Sequence, residues 1–250
     1  MNFVGIIPAR YGSTRFPGKP LARIKGKSMI QRVYEQSRKT LDHVYVATDD
    51  ERIEKEVRDF GGNCIMTSSS HESGTDRLAE AILKIEKEEN HKYDVVINIQ
   101  GDEPFIHPEQ IRELCNCFKD QNVRIATLAK AITDTDDIFN SNLPKIITNI
   151  HGEAIYFSRA AIPYIRNKDE SDWLTEYPFK KHLGMYGYRS QTLKEITKLN
   201  PSSLEMAESL EQNRWIEHGY KIQIRMTIYE NHPVDTPGDL ENMNDFLFEQ

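Results

Sequence analysis

The feature that most constrains the fold is the alternation of short apolar runs with segments of helical periodicity. The apolar runs have the length of parallel strands covered on both faces, and they lie at residues 3–7, 44–48, 64–67 and 95–99. The segments between them carry apolar residues at helical spacing, such as Ile53, Val57 and Phe60. Strand–helix–strand alternation implies parallel pairing with right-handed crossovers. We therefore predict an α/β fold with a mostly parallel central sheet and helices on both of its faces.

The first apolar run leads into a basic loop that contains glycine. We expect Pro8 to end this strand, because proline lacks a backbone donor. The loop contains small residues and three cations, namely Gly12, Ser13, Thr14, Gly18, Arg10, Arg15 and Lys19. Cations at this density repel one another unless an anion lies between them, and glycine-containing backbone can turn its N–H groups towards an anion. We interpret the loop as a polyphosphate-binding loop; the alternative is a solvated basic loop.

Two common phosphate-binding motifs are excluded. The chain lacks the G-x-G-x-x-G fingerprint of dinucleotide-binding folds. Gly26-Lys27-Ser28 resembles the end of a Walker A motif, but that motif requires glycine where this chain has Leu21. These residues instead predict a turn followed by a helix cap.

Chain length, net charge and the number of cysteines limit the class to which this protein can belong. A chain of 250 residues can form one α/β domain, and its net charge of −7 argues against nucleic-acid binding. Its three cysteines, an odd number without a C-x-x-C pair, indicate reduced thiols in the cytoplasm and no zinc site. No apolar run approaches the roughly 18 residues of a membrane span, and no signal peptide is evident. We expect a soluble cytoplasmic protein that does not bind a membrane.

The pattern changes after residue 123. Residues 125–131, 145–150 and 154–157 are strand-like, and the last two segments flank His151-Gly152-Glu153, which predicts a hairpin. Residues 158–182 combine charges and aromatics with little periodicity. We interpret the chain as a single domain, residues 1–250, with a small β-rich substrate and dimerisation excursion at about residues 124–190. The aromatic part of this excursion, near Trp173, Tyr177 and Phe179, is where we expect a partner subunit.

Two helix starts are marked by capping residues. Ser28 with Gln31 has capping-box spacing. Thr236, Pro237 and Asp239 have the order of an N-cap, a first-turn proline and a third-position acid. We expect helices to begin at both places.

Two aspartates are candidates for a metal site. Asp102 follows the central apolar run in a glycine-containing turn, and Asp235 directly precedes the last helix cap. Mg²⁺ prefers a few carboxylate oxygens together with phosphates and water. Each aspartate alone suits a turn or cap equally well, but together with a polyphosphate loop they favour metal-assisted chemistry on a nucleotide.

At this point a family resemblance becomes clear. The segments that carry it keep their order over nearly the whole chain, and they read IPARYGSTRFPGKPL, VATDD, SGTDR, INIQGDEP, IYFSR, KHLGMYGY, SLEQNRW and VDTP. They closely resemble the 3-deoxy-manno-octulosonate cytidylyltransferase family. The resemblance implies a Rossmann-like nucleotide-diphospho-sugar transferase fold and a homodimer. It also implies that the protein uses Mg²⁺ and that it catalyses the reaction of CTP with 3-deoxy-manno-octulosonate (Kdo). The products would be CMP-Kdo and pyrophosphate, and the reaction would serve lipopolysaccharide biosynthesis.

The resemblance also implies roles for individual residues. The triphosphate would be held by Arg10, Ser13, Arg15 and Lys19. The residues near cytosine and ribose would be Ser73, Gly74 and Arg77. The metal would be bound by Asp102 and Asp235, which with Arg15 and Lys19 form the catalytic set. The sugar pocket would be lined by Gln100, Arg159, Arg166, His182, Tyr186, Glu211 and Gln212.

Several of these residues have structural alternatives. Arg159 and Arg166 could be ion-pair partners, and His182, beside two lysines, could lie at the surface. Glu211 could share a solvated helix face with Glu208. Gly238 departs from the family pattern, in which an acidic residue follows the proline. The stretch of residues 167–176 has no match in that pattern.

Three other functions are compatible with parts of the sequence. A CMP-sialic acid synthetase would use CTP and a similar keto-acid sugar. A metal-dependent glycosyltransferase has an Asp-x-Asp motif that resembles Gln100-Gly101-Asp102-Glu103, but it need not have the basic loop. A nucleotide-sensing module would bind CTP without turnover. The number of metal ions, one or two, and the distinction between Kdo and its 8-amino analogue stay open.

Overall fold

The computed structural model describes residues 1–12, 16–71 and 73–243. It divides into two compact units: the first contains Met1–Arg112 and the residues from Asn231 onward, and the second contains Glu113–Glu230. The proposed excursion at residues 124–190 lies within the second unit. The single domain of residues 1–250 stays a prediction.

Strands and helices alternate along the described chain. The strands are β1 (Phe3–Ala9), β2 (Arg23–Ile24), β3 (Lys27–Ser28), β4 (Val44–Thr48), β5 (Asn63–Met66), β6 (Val95–Asn98), β7 (Ile125–Ala131), β8 (Lys145–Thr148), β9 (Ala154–Ser158), β10 (Lys180–Arg189) and β11 (Ile222–Met226). The α-helices are α1 (Met29–Arg38), α2 (Glu51–Asp59), α3 (Gly74–Glu88), α4 (Pro108–Cys117), α5 (Thr135–Phe139), α6 (Trp173–Glu176), α7 (Ser190–Ile196), α8 (Ser203–Glu208), α9 (Glu211–Glu217) and α10 (Pro237–Met243). Among the described helices, none combines the length and the apolar composition needed to cross a bilayer.

The first unit is built on a parallel sheet. β1 lies between β6 and β4, and β5 pairs with the far side of β4. Ile6 and Ile7 of β1 are both fully buried. Because neighbouring strand residues point to opposite faces, the sheet is covered on both sides at this strand. The predicted α/β class with a parallel sheet is confirmed.

The predicted helix starts have the expected hydrogen bonds. The Ser28 side chain accepts a bond of 3.3 Å from the amide of Gln31 at the start of α1. At α10, the Thr236 hydroxyl accepts from the Asp239 amide at 3.2 Å, and the Asp239 carboxylate accepts from the Thr236 amide at 2.8 Å. Such reciprocal bonds satisfy donors that a helix leaves open at its first turn. Both predicted helix starts are confirmed, but at α1 the Gln31 side chain donates to Glu35 at 2.9 Å, so only the Ser28 half of the predicted capping box is present.

The second unit has a mixed sheet. β7 pairs in parallel with β11 and antiparallel with β10, and β8 pairs antiparallel with β10 and β9. The predicted hairpin at β8 and β9 is confirmed, and its turn places Gly152 at a φ of 74°. The Asn149 side chain accepts from the amides of His151 and Glu153 at 2.9 and 3.0 Å, which closes the turn.

The aromatic part of the excursion packs within the second unit. Trp173 is 3% exposed and Phe179 is fully buried, and their rings stack with centroids 5.9 Å apart. They form a core cluster with Ile132 and Ile138 of the same unit. The rings of Trp173 and Phe179 are thus covered by their own chain, and the expected partner contact near this part of the excursion stays a prediction.

Candidate active site

A cleft of the first unit lies where β1 and β6 end. It has a volume of about 290 Å³. The residues that line it are Pro8, Ala9, Arg10, Lys19, Pro20, His71, Ser73, Gly74, Arg77, Gln100, Gly101, Asp102 and Asp235. The structure thus brings eight of the predicted site residues together: Arg10, Lys19, Ser73, Gly74, Arg77, Gln100, Asp102 and Asp235. The position agrees with the general placement of ligands at the carboxyl ends of strands in α/β sheets.

The centre of the cleft is a charged triad. The Lys19 ammonium donates to a carboxylate oxygen of Asp102 at 2.8 Å and to one of Asp235 at 3.2 Å. Only 15% of the Lys19 side chain is exposed, against 31% and 37% for the two aspartates. The predicted convergence of Asp102 and Asp235 is therefore present, and the two carboxylates already share one cation.

Local backbone contacts explain why the aspartates converge. A Cβ atom on Gly101 would lie 3.0 Å from the carbonyl oxygen of Pro8, so the turn after β6 requires glycine to approach the end of β1 this closely. The amide of Val234 donates to the carbonyl of Asp102 at 2.9 Å. The amide of Asp235 donates to Asp239 at 3.0 Å, which ties this residue to the cap of α10.

Glu103, beside this triad, is buried. It is 6% exposed. Burial raises the pKa of Glu103 to about 8, and the negative charge of Asp102 acts in the same direction. The carboxyl of Glu103 therefore carries a proton for much of the time near neutral pH.

The base of the predicted phosphate loop is anchored to the first unit. Ser13, Thr14 and Arg15 lie outside the described residues, so only the flanks can be placed. Gly18 has a φ of 73° and donates to the carbonyl of Tyr11 at 2.9 Å. The guanidinium carbon of Arg52 lies 3.3 Å from the centre of the Tyr11 ring. Arg10 is exposed at the rim of the cleft.

The residues predicted to meet the nucleoside lie at the start of α3. The Ser73 hydroxyl accepts from the Asp76 amide at 3.0 Å and donates to the Asp76 carboxylate at 2.8 Å, so it caps the helix. Arg77 is 4% exposed and donates to Thr67 at 2.6 Å and to Asp49 at 3.3 Å. These bonds hold the Arg77 guanidinium rigidly in the wall of the cleft.

A second set of predicted residues gathers in the second unit. The ring of His182 lies 5.2 Å from those of both Phe157 and Tyr186, and Tyr186 lies 5.2 Å from Trp215. Burial lowers the pKa of His182 to about 3, so its imidazole is neutral. The residue is partly buried rather than exposed, so the alternative of an exposed surface histidine is wrong.

This aromatic group contains polar atoms that the described residues leave unsatisfied. They are the Tyr186 hydroxyl, the Gln212 side-chain nitrogen and the Trp215 indole nitrogen, which are buried without a hydrogen-bond partner in the described part of the chain. Burial raises the pKa of Tyr186 well above its usual value, and nearby Tyr188 and Glu211 add to the effect. Unpaired buried polar groups are costly, so this group is suited to receive a polar ligand.

The remaining predicted sugar residues have distinct surroundings. Arg159 donates to the carbonyls of Glu208 and Ser141 at 2.7 and 3.0 Å, so it fixes a loop rather than forming a simple ion pair. Arg166 is exposed. Glu211 begins α9 whereas Glu208 ends α8, so the two glutamates do not share one helix face; Glu208 instead accepts from the hydroxyls of Tyr156 and Ser158 at 2.8 and 2.6 Å. Their roles in sugar binding stay predictions.

Comparisons with known proteins decide the family. The sequence profile of the family described as cytidylyltransferase matches residues 4–224. The 3-deoxy-manno-octulosonate cytidylyltransferase of Parabacteroides distasonis is 57% identical over 99% of this chain and 98% of the relative. The chain belongs to the 3-deoxy-manno-octulosonate cytidylyltransferase family. A relative of the same name from Bacteroides thetaiotaomicron is 54% identical over 99% of this chain and 98% of its own length.

A solved structure supports the same family. It is described as a CMP:2-keto-3-deoxy-manno-octonic acid synthetase complexed with CTP, and it matches with a TM-score of 0.89 and 42% identity. The match covers 98% of this chain and 97% of the other. The predicted family and its Rossmann-like nucleotidyltransferase fold are confirmed.

One residue that the sequence did not indicate, His71, also lines the cleft. His71 shares a hydrogen bond with Glu80 of α3. Burial alone would raise the pKa of Glu80, but bonds from Lys84, the Ser68 amide and His71 outweigh it and lower the pKa to about 2. The ionised Glu80 therefore orients His71 at the edge of the cleft. Nothing in the spacing of these two residues signals this pair, because His71 precedes the helix.

Proposed function

We propose that this chain transfers the cytidylyl group of CTP to the anomeric hydroxyl of Kdo, releasing pyrophosphate, as a step of lipopolysaccharide biosynthesis. The observation that carries the proposal is the cleft in which Lys19 is shared by Asp102 and Asp235, in a chain 57% identical to a protein of that name. None of the alternative functions has a feature in the described residues that favours it over this one.

The reaction depends mainly on alignment of the two substrates and on stabilisation of the charge that develops on the phosphates. The sugar hydroxyl must attack the α-phosphorus in line with the departing pyrophosphate, and such phosphoryl transfers need little covalent work from the protein. Lys19 and Arg10 supply positive charge on the cleft wall, and Lys19 would stabilise the charge that develops on pyrophosphate. Ser13 and Arg15 are proposed to complete this set from the predicted loop.

Asp102 and Asp235 are proposed to hold Mg²⁺. The donor set fits a hard cation, because two carboxylates already converge on the ammonium of Lys19. The described residues contain no cluster of three or more acidic, histidine or cysteine ligands, so phosphate and water oxygens would have to complete the coordination. When bound, Mg²⁺ would neutralise phosphate charge and lower the pKa of the sugar hydroxyl.

The sugar is proposed to meet the unsatisfied polar atoms of the second unit. Tyr186 can donate its hydroxyl and Gln212 its amide N–H to sugar oxygens. Neutral His182, which shares a bond of 3.0 Å with Thr127, offers a neutral polar contact. An arginine fork such as that of Arg166 suits the carboxylate of the keto acid. Gln100 and Glu211 complete the proposed set.

Pyrophosphate release tests the proposal directly. CTP with Kdo and Mg²⁺ should release pyrophosphate, while CTP alone or CTP with sialic acid should release far less. Binding of CTP without release under all three conditions would support a nucleotide sensor. Equal release with sialic acid would support a CMP-sialic acid synthetase, and turnover of a nucleotide sugar instead of CTP would support a glycosyltransferase.

The assembly and location are also proposed. We expect a homodimer, as the family resemblance implies, and a cytoplasmic enzyme. Cys64, Cys115 and Cys117 form no disulfide, which is consistent with a reducing compartment.

A further inference from the structure

A buried chain of polar side chains lies behind the charged triad of the first unit. Glu103 and Gln110 are 6% and 0% exposed. The Gln110 side-chain nitrogen donates to the Asn231 side-chain oxygen at 2.6 Å, and Asn231 also forms a side-chain hydrogen bond with Glu103. The Gln110 oxygen accepts from the backbone amide of His107 at 3.0 Å. Asn231 therefore connects the turn after β6 with the first turn of α4.

Asn231 uses both ends of its amide in this arrangement. Its oxygen accepts from Gln110, and its nitrogen is the end that can donate to Glu103. The second carboxyl oxygen of Glu103 has no partner among the described residues. Loss of Asn231 would therefore leave Glu103 and Gln110 buried with unsatisfied polar atoms, which is costly.

The segment that Asn231 anchors is the one that carries Asp235. Val234, in the same segment, donates its amide to the carbonyl of Asp102 at 2.9 Å. The side-chain link at Asn231 and the main-chain link at Val234 thus tie this segment to the turn of Asp102 and Glu103 at two points. Two such ties restrict how far Asp235 can move from Asp102.

We propose that Asn231 is a positioning residue, which sets the separation of Asp102 and Asp235 for a divalent cation through its bonds to Glu103 and Gln110. The inference rests on the proposed function and its Mg²⁺ site. Asn231 itself is not among the residues that line the cleft. Supporting residues behind metal ligands are typically worth 10- to 100-fold in metal affinity, and we expect an effect of about tenfold here.

The test compares Asn231→Ala with Thr40→Val. Thr40 donates to the carbonyl of Pro108 at 3.0 Å, so its replacement also removes a bond to the start of α4 in the same unit, but it leaves the segment of Asp235 intact. Binding of Mn²⁺ in the presence of CTP is measured by electron paramagnetic resonance, and the Mg²⁺ concentration for half-maximal pyrophosphate release is measured separately. Asn231→Ala should weaken Mn²⁺ binding and raise the Mg²⁺ requirement by about tenfold. Its rate at saturating Mg²⁺ should stay within about threefold of the wild-type rate, because the carboxylates themselves are retained.

A second variant keeps the test decisive if the alanine variant does not fold. Asn231→Ser retains one hydroxyl and can make one of the two bonds, so its Mn²⁺ affinity should lie between those of the wild type and the alanine variant. If the variants of Asn231 bind Mn²⁺ as tightly as Thr40→Val, the inference is overturned. If the wild type itself releases no pyrophosphate from CTP and Kdo, the proposed function fails, and the Mn²⁺ measurement still decides the role of Asn231.

Discussion

At the residue scale, the cleft centres on Asp102 and Asp235, whose carboxylates share the ammonium of Lys19. Asp102 and Asp235 were inferred from a position after a strand and a position before a helix cap, and both line the cleft. The burial of His182 could not be inferred, because its neighbours in sequence, Lys180 and Lys181, are charged. The ring is enclosed by Phe157 and Tyr186, and such tertiary contacts leave no local signal.

Asp102 is expected to be essential for turnover but not for folding. Asp102→Asn removes one of the two carboxylate charges available to Mg²⁺, so we expect a loss of at least about a hundredfold in the rate of pyrophosphate release. The melting temperature should change little, because the side chain is 31% exposed. Asp137→Asn is a matched control, since the Asp137 side chain is also 31% exposed and lies 3.2 Å from a lysine. Near-full activity of Asp102→Asn with Mg²⁺ would remove Asp102 from the metal site.

His182 should make stability depend on pH. Its folded-state pKa of about 3 lies below the ordinary value of 6.5, so the unfolded chain binds the proton more readily. The stabilising effect of the neutral ring is therefore complete above about pH 6.5 and is lost as the pH falls towards 3. The difference in melting temperature between the wild type and His182→Gln should shrink over that range. His151→Gln, at the exposed turn of the β8–β9 hairpin, controls for loss of an imidazole; a difference for His182→Gln that stays constant from pH 7 to 4 would contradict this account.

At the element scale, local signals predicted the strands and helix caps well, because alternation and capping depend on near neighbours. The parallel strands of the first unit and the start of α10 were found as predicted, except that β1 continues through Pro8 to Ala9. The packing of the aromatic excursion could not be predicted, for the opposite reason. A run of aromatic residues without periodicity does not indicate whether its rings pack on their own chain or on another, and Trp173 packs on its own.

The cap of α10 should matter for the metal site as well as for the helix. Asp239 accepts bonds from the amides of Asp235 and Thr236 at 3.0 and 2.8 Å. Asp239→Ala should destabilise the fold by about 1 kcal/mol, as loss of a helix cap does, and it should raise the Mg²⁺ concentration needed for half-maximal activity. Chemical denaturation and a Mg²⁺ titration measure the two effects. An unchanged Mg²⁺ requirement would show that the cap does not position Asp235.

At the scale of the whole molecule, the family and its fold followed from motif order along the chain, because ordered motifs report a shared structure. The division of the described chain into two compact units was not visible in the sequence, since no linker of distinct composition separates them. The middle of the basic loop, which carries Ser13 and Arg15, stays a prediction.

The proposed homodimer should have a mass in solution of about twice the 29.0 kDa of the chain, which light scattering coupled to gel filtration measures. Trp173→Ala should leave this mass unchanged, because the ring is buried within its own unit. It should instead lower the free energy of unfolding by about 3 kcal/mol or more, as for other large buried aromatic residues. A folded variant that elutes as a monomer would restore Trp173 to the subunit interface.

Lys19 gives two of the three donors of its ammonium to Asp102 and Asp235. One donor is left for a phosphate oxygen, and a second could bind phosphate only by leaving a carboxylate. If the two carboxylates hold a divalent ion as proposed, its binding would release donors of Lys19 to the nucleotide. The two affinities would then be thermodynamically linked, and by reciprocity each ligand would alter the affinity for the other by the same factor. An enzyme built in this way would respond to the CTP–magnesium complex as one signal rather than to the two components separately.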